Sequence, residues 1–515
     1  MKKPRGAVAA GHPLTAHAAA EMLRAGGNAF DAAAAAFFTA CAAEPVLASL
    51  GGGGFLLAAP DSGAPRVYDF FTHTPLVRRP PARLDFEKVV VDFGSAQQIF
   101  HIGYGTAAAP GAVAGILQVH AGHGRMPLRE VAAPALRAAR EGVKVTAAQA
   151  AVFGFVEPIY VSRRSARALF ESPAAPGRVL REGEAMRFPQ LADVVETLAA
   201  EGRDFFYRGE IASLIHRQLK DCGHLTRDDL ARYEVVLRKP LARRCHGATL
   251  FTNPPPAAGG VLTAFGIALA ERCRRPGDAF GDTATLLTLA DILHATCEAN
   301  VNAAAAGGVD IDNSRLLDSA LLDQYAAGIT GRAVARNGTT HISIVDAAGN
   351  AAALTVTNGA GCGEVLPGTG IMLNDMLGEE EVSPRGLHRW RVNERLSSMT
   401  APALIRGRDT VTVTGSGGSN RIRSVLVQVT VNLVHHAMSV EHAVRAPRLH
   451  YDDNLYIEGG FSAAATAALC EAWPGAVVFP AANFFFGGAN TVQIDSAGRI
   501  HGCADPRRGG VFTVA

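Results

Sequence analysis

The chain has 515 residues, 48% hydrophobic and 19% charged, which provides for a large core and excludes a disordered chain. Its 49 Lys and Arg balance 47 Asp and Glu with no basic block, so nothing in the charge favours a nucleic-acid or anionic-membrane partner. Eight cysteines, without a CxxC pair or a His at finger-like spacing, argue against a zinc site or a disulfide framework and read as scattered reduced thiols.

In chain order, the basic start Met1–Arg5 is followed by no apolar run of ~7–15 residues, because His12 and His17 interrupt it. No signal peptide is expected, nor any ~18-residue apolar span, and the chain reads as cytoplasmic. Residues 14–44 are Ala-rich and predict helix, with Thr15 as a cap, Gly26–Gly27 as a stop and Asn28 as a restart. The run Gly51–Gly54 leads through a tight turn into a strand over Phe55–Ala59. Residues 110–140 and 186–240 are mostly helical by period, with Thr226 an N-cap. Pro254–Pro256 and Gly259–Gly260 form a rigid turn before another helix. The character changes near residue 337. Short alternating strands follow at 340–345, 351–357, 409–414 and 491–494, with a helix over 421–437. A helix-rich half before a strand-rich half means either two domains or one layered domain cut into two chains.

The chemistry concentrates in residues 337–358. Asp346–Asn350 is a turn between two alternating runs, hence a hairpin. Pairing Val345 with Ala351 sets Ile344 opposite Ala352 and Ile342 opposite Leu354, an apolar face. The other face then carries Thr339, His341 and Ser343 with Thr355 and Thr357, and Thr339 lies across from Thr357, with Cβ atoms ~5 Å apart. A threonine hydroxyl is a weak nucleophile. If the chain is cut before Thr339, the new α-amine, with a pKa of ~7.7–8.0, serves as its base. Asn337–Gly338 supplies the flexible turn that an N-to-O acyl shift requires. The plainer reading is a two-stranded ribbon with polar residues on its wet face.

The segment Thr339-Thr340-His341-x-Ser343-x-Val345-Asp346, then Gly349-Asn350, resembles the small-subunit start of the γ-glutamyltransferases. The resemblance recurs through the chain: Gly11-His12-Pro13, Gly26–Ala32, Gly51–Phe55, Pro110–Gly115, Pro254–Gly260, Ser397-Ser398-Met399, Gly415–Ser419, Ala446-Pro447-Arg448 and Asp505-Pro506-Arg507. It implies an α+β fold, the four-layer αββα sandwich of the Ntn hydrolases. It also implies autocleavage into a large chain, 1–338, and a small chain, 339–515, that stay together as one domain. By this resemblance Thr339 is the nucleophile and Thr357 hydrogen-bonds it. Gly417 and Gly418 donate backbone N–H groups to the oxyanion, with Gly418 and Ser419 as the register shifted by one. Ser397 and Ser398 hold the substrate carboxylate. No metal or organic cofactor is implied, and the substrate is a γ-glutamyl compound such as glutathione, or a related amide.

The substrate pocket departs from that pattern. Where the family has an arginine that clamps the α-carboxylate, this chain has Phe71, and a bidentate ion contact becomes an aromatic face. Glu379 fills the place of the acid that pairs with the α-ammonium, Met376 that of a glutamine, and Asn358 neighbours Gly359, where the family has asparagine. Either Arg395 replaces the lost cation, or the acyl group has no free amino-acid head and is glutaryl-like. Two other classes compete. One is a serine hydrolase using Ser416, in an elbow that lacks its first glycine. The other is a non-processing homologue whose Gly415–Ser419 loop cradles an anion. His294, His435, His436 and His450, Phe484–Phe486 and Cys362 read as structural.

Overall fold

The computed structural model describes residues 4–92, 97–274, 277–307, 316–327, 339–380, 382 and 385–515, so the expected Asn337–Gly338 turn lies outside the described residues. Two antiparallel sheets form the centre. The seven-stranded sheet runs Val236–Arg238, Arg66–Phe70, Gly53–Ala59, Ala351–Thr357, Thr340–Asp346, Gly6–Ala10 and Val511–Val514. The six-stranded sheet runs Leu241–Cys245, Ala248–Thr252, Ala403–Arg406, Thr410–Gly417, Gly488–Asp495 and Ile500–Ala504.

Alternation along the strands sorts the layers. Ala7, Phe55, Leu57, Val345 and Ala353 face Leu404, Val413 and Val492 across the space between the sheets. Their neighbours Val8, Leu56, Ile342, Ile344 and Leu354 turn outward onto helices that carry Phe30, Phe37 and Ile116. On the far side Leu250, Ala403 and Ile405 pack on Ile267, Leu293 and Val427. Helices therefore cover both outer faces, and the αββα sandwich expected from the sequence is present.

The helix-rich half and the strand-rich half are not separate domains but share one layered structure. Residues before 338 supply four strands of the larger sheet and two of the smaller. Gly6–Ala10 reads GAVAA and is buried on both faces, so it lacks the polar alternation that marks a half-exposed strand. The hairpin register is as read: Val345 pairs with Ala351, Ile344 with Ala352 and Ile342 with Leu354. Both of its faces are buried, so the polar one is not wet.

Local expectations fare unevenly. Asn28 does cap helix Ala29–Ala43, in a box with Asp31, and Thr226 caps Arg227–Ala231. Thr15 is not a cap, because Pro13 starts the first helix earlier, at Pro13–Arg24, where His12 Nδ1 accepts from Leu14 N at 3.1 Å. Strand Thr410–Gly417 runs three residues beyond its expected end, since Gly415, Ser416 and Gly417 pair with Asn490, Ala489 and Gly488. The helix after it, Arg421–Val434, stops short of residue 437, where Ala437 adopts φ +51°.

Candidate active site

Thr339 sits at the mouth of the hairpin, 4% exposed, immediately before strand Thr340–Asp346. The hairpin holds the residues after it firmly. Thr340 Oγ1 donates to Glu44 at 2.8 Å, and Thr15 Oγ1 donates to the same carboxyl at 2.7 Å. Ser343 Oγ donates to Asn490 O at 2.8 Å, so it accepts from His341 Nε2 at 2.9 Å. His341 Nδ1 then accepts from Thr355 Oγ1 at 2.7 Å. Burial alone pushes the His341 pKa down to about 3, so the ring is neutral near pH 7 with both nitrogens engaged. It anchors the strand and has no lone pair left to act as a base toward Thr339. Burial likewise raises the Glu44 pKa, and its sequence neighbourhood, an acid before Pro45, gave no sign of this pinning role.

Thr357 is the last residue of the partner strand, and its Oγ1 accepts from Gly359 N at 3.0 Å. From the second sheet, the end of Thr410–Gly417 closes on Thr339. A Cβ on Gly417 would lie 1.9 Å from Thr339 O, so only glycine permits this approach. Gly418 has φ +121° and Ser419 φ +54°, and this turn feeds helix Arg421–Val434. Gly417 thus borders Thr339, Gly418 rests against Gly487 and Arg508, and Ser419 reaches the cavity beside Thr339. Ser416, by contrast, is spent. Its Oγ donates to Gly417 O at 2.8 Å and accepts from Gly488 N at 3.1 Å, and no histidine hydrogen-bonds it among the described residues.

Thr339 lies in the wall between two cavities. One, of about 280 Å³, is lined by Phe71, Thr357, Met376, Glu379, Ser398 and Ser419 among others. Here the sequence expectations largely converge. Ser398 Oγ accepts from Thr400 N at 3.1 Å and bonds Thr400 Oγ1 at 2.9 Å. Glu379 hydrogen-bonds Asp375, whose carboxyl burial pushes well above its usual range. A Cβ on Gly359 would fall 1.8 Å from Asp375 Oδ1 and 2.4 Å from Glu379 Oε1, which accounts for a glycine where the family has asparagine.

Three expected residues stand apart from this cavity's lining. Asn358 turns away and donates to Leu373 O at 3.4 Å. Ser397 is half-buried. Arg395 lies behind Phe71, where Nη1 donates to Phe71 O and to Tyr233 Oη, and Nη2 donates to Glu234 O at 2.6 Å. Its Nε is 3.5 Å from Asp69, and the guanidinium packs 4.9 Å from the Tyr233 ring centre. The cation is present but committed to backbone and to Asp69. Phe71 itself is 1% exposed and stacks on Phe55, centroids 5.6 Å apart.

The second cavity, of about 590 Å³, opens on the other side of Thr339 between Gly11, Val46, Val152, Phe484, Gly417 and Arg508. Arg508 was not singled out by the sequence, in which it merely follows the Asp505-Pro506-Arg507 motif. That motif meets Ala446-Pro447-Arg448 in space. Arg448 Nη2 lies 2.6 Å from Asp505, and Arg507 lies 3.2 Å from Asp505 and 2.6 Å from Glu458.

Comparison with known proteins follows this geometry. A family model described as gamma-glutamyltranspeptidase matches residues 15–515. The chain is 32% identical over 492 residues to a glutathione hydrolase proenzyme of Pseudomonas aeruginosa, covering 88% of this chain and 85% of that one. It is 30% identical over 539 residues to an acylase ACY 1 proenzyme of Pseudomonas sp. strain SE83, covering 98% and 93%. The fold is shared with a cephalosporin acylase from Bacillus halodurans, at a TM-score of 0.85 and 23% identity over 100% of this chain and 96% of that one.

Proposed function

The chain belongs to the gamma-glutamyltranspeptidase family of N-terminal threonine hydrolases, and on that premise we propose that it cuts itself before Thr339 and then transfers acyl groups through that residue. The observation that carries the reading is the position of Thr339 at a hairpin mouth, between two cavities and against Gly417, with His341, two residues along the same strand, neutral and bonded at both ring nitrogens. With His341 unavailable, the base closest to the hydroxyl is the α-amine that cleavage would free.

In this reading the α-amine takes the Oγ proton as Oγ attacks the amide carbonyl. The developing oxyanion is met by backbone N–H groups of the Gly417–Ser419 turn. The amine departs with the proton, leaving an acyl-Thr339 ester that water or another amine resolves. Chains 1–338 and 339–515 would remain associated, because each sheet draws strands from both. Among the described residues, no helix is long and apolar enough to cross a membrane.

For the acyl group, two donors are in view. The default is γ-glutamyl, as in glutathione, supported by Glu379 and Ser398 in the smaller cavity. Phe71 and the engagement of Arg395 favour a second, a glutaryl-type acyl without an amino-acid head, and one of the two relatives above is an acylase. Intact mass of the parent and of Thr339→Ala tests maturation. Two fragments split before Thr339 are expected from the parent, and one 53.8 kDa chain from the variant. Turnover of γ-glutamyl and glutaryl anilides then separates the donors. An uncleaved parent that hydrolyses neither anilide overturns the reading.

A further inference from the structure

A further cavity, of about 630 Å³, opens in the helical layer over the six-stranded sheet and shares no lining residue with the two cavities at Thr339. Its volume is in the range of small-molecule sites. Three helices wall it. Thr283–Gly307 supplies Leu286, Leu289 and Ile292, the end of Ala258–Arg272 supplies Ala270, and Arg421–Val434 supplies Val431, so these walls are apolar.

One end differs. His246, at a turn with φ +45°, meets His435 and His436 where helix Arg421–Val434 ends. Ring centres of His246 and His435 are 4.7 Å apart, and those of His435 and His436 4.5 Å. Arg274 and Thr285 join them in the lining. Nδ1 of His435 and Oγ1 of Thr285 are shielded from solvent and have no hydrogen-bond partner among the described residues. Polar atoms shielded in this way are costly to keep unless an occupant completes them. Gln428 needs no such partner, since its amide bonds Ser424 O and Leu449.

The charged and titratable groups around the rings are few. Arg274, Asp278 and the Cys273 thiol line the cavity, and Arg408 lines an adjoining one that His246 also borders. Glu271 is engaged, accepting from His246 N at 2.8 Å and pairing with Arg243 at 3.2 Å. Burial first, then the other two imidazoles and Arg274, holds His435 below the usual histidine range. Burial does the same to His436, with His246 and Arg274 adding to it and Asp278 opposing. Among the described residues no three His, Cys, Asp or Glu side chains converge as metal ligands, so the cluster points to an anion rather than a metal ion.

We propose that this cavity is a second ligand site, for a small monocarboxylic acid with an apolar body. The carboxylate lies among His435, His436 and Arg274 and accepts from His435 Nδ1 and Thr285 Oγ1, while the body lies along Leu286, Leu289 and Ile292. A carboxylate offsets the crowding of positive charge that a neutral ligand leaves in place. It also draws a proton onto the imidazoles, and a protonated ring donates from both nitrogens. Binding therefore takes up a proton, and affinity rises as pH falls through the histidine range.

The test titrates 4-phenylbutyrate and 4-phenylbutyramide calorimetrically into the purified protein at pH 6 and pH 8. At pH 6 the acid is expected to bind roughly ten- to a hundredfold tighter than the amide, the value of a charge-assisted contact, and the advantage should shrink at pH 8. His435→Ala should remove the advantage, and Leu289→Trp, which fills the apolar end, should remove binding of both. Arg508→Met, which takes the cation from the larger Thr339 cavity, should leave binding as in the parent. Equal affinity for acid and amide at pH 6, or an acid preference undiminished in folded His435→Ala, overturns the inference. So does loss of binding in Arg508→Met, which would place the acid beside Thr339. Diethyl pyrocarbonate labelling of the parent, read by peptide mass spectrometry, decides without any variant. The acid and not the amide should protect His435 and His436, and no protection by the acid overturns the proposal.

Discussion

Replacing Gly417 by alanine puts the geometry of the site to its sharpest test. The new Cβ would sit 1.9 Å from Thr339 O and 2.9 Å from Thr339 C, both backbone atoms. A tolerable C···O contact is about 3.3 Å, so one of the two backbones must move by about 1.4 Å. Overpacking of this kind costs about 1–3 kcal/mol of stability, which a chain of this size survives. Misplacing a reacting group by about 1 Å costs on the order of a hundredfold in rate, so the chemistry suffers more than the fold. Gly417→Ala is therefore expected to fold, with a melting temperature a few degrees lower. Its self-cleavage and amide turnover should fall by about a hundredfold or more. Gly154→Ala, at an exposed position of helix Ala147–Tyr160 with no atom within 4 Å of the added Cβ, is the control and should process like the parent. The assay is fragment appearance against time by intact mass, with anilide turnover beside it. If Gly417→Ala processes and turns over at the parental rate, the approach of the glycine turn to Thr339 has no part in the reaction.

Ser416→Ala should keep cleavage and turnover within a few-fold while losing about 1 kcal/mol of stability with the Gly488 N–H bond, and loss of all activity would revive the serine-hydrolase reading. Arg395→Met strips donors from two backbone carbonyls and a partner from Asp69, so urea unfolding should show a loss of about 3 kcal/mol or more; unchanged stability would show the cation to be free for substrate. Burial lowers the His341 pKa to about 3 and those of His12, His224, His294 and His450 to about 4, all below the usual 6.5. The unfolded chain therefore binds protons that the native one refuses, and stability falls as pH drops from about 6.5 toward 4. His341→Gln should reduce that slope by up to about 1.4 kcal/mol per pH unit in urea titrations, and an unchanged slope would contradict a neutral buried ring.

The hairpin was legible from residues 339–357 alone, because a two-residue side-chain period and a single turn leave only one register that keeps Ile342, Ile344 and Leu354 on one face. The caps at Asn28 and Thr226 were legible for a similar reason, since each is a local hydrogen-bond motif of four residues. What sequence did not yield was long-range. Strands buried on both faces, such as Gly6–Ala10, carry no alternation, so the sharing of both sheets between the two halves emerged only in three dimensions. Arg395 sits two residues before Ser397, yet its guanidinium is committed behind Phe71 because Asp69, Tyr233 and Glu234 converge there from elsewhere in the chain. Arg508 looked like one more basic residue after a motif, and the pairing of Asp505 and Glu458 with other arginines leaves it without an ion pair among the described residues, lining the same cavity as Thr339. Residue types and local spacing determine which groups can react. Whether a charge is spent or available depends on which partners the fold brings to it, and those partners lie far away in sequence.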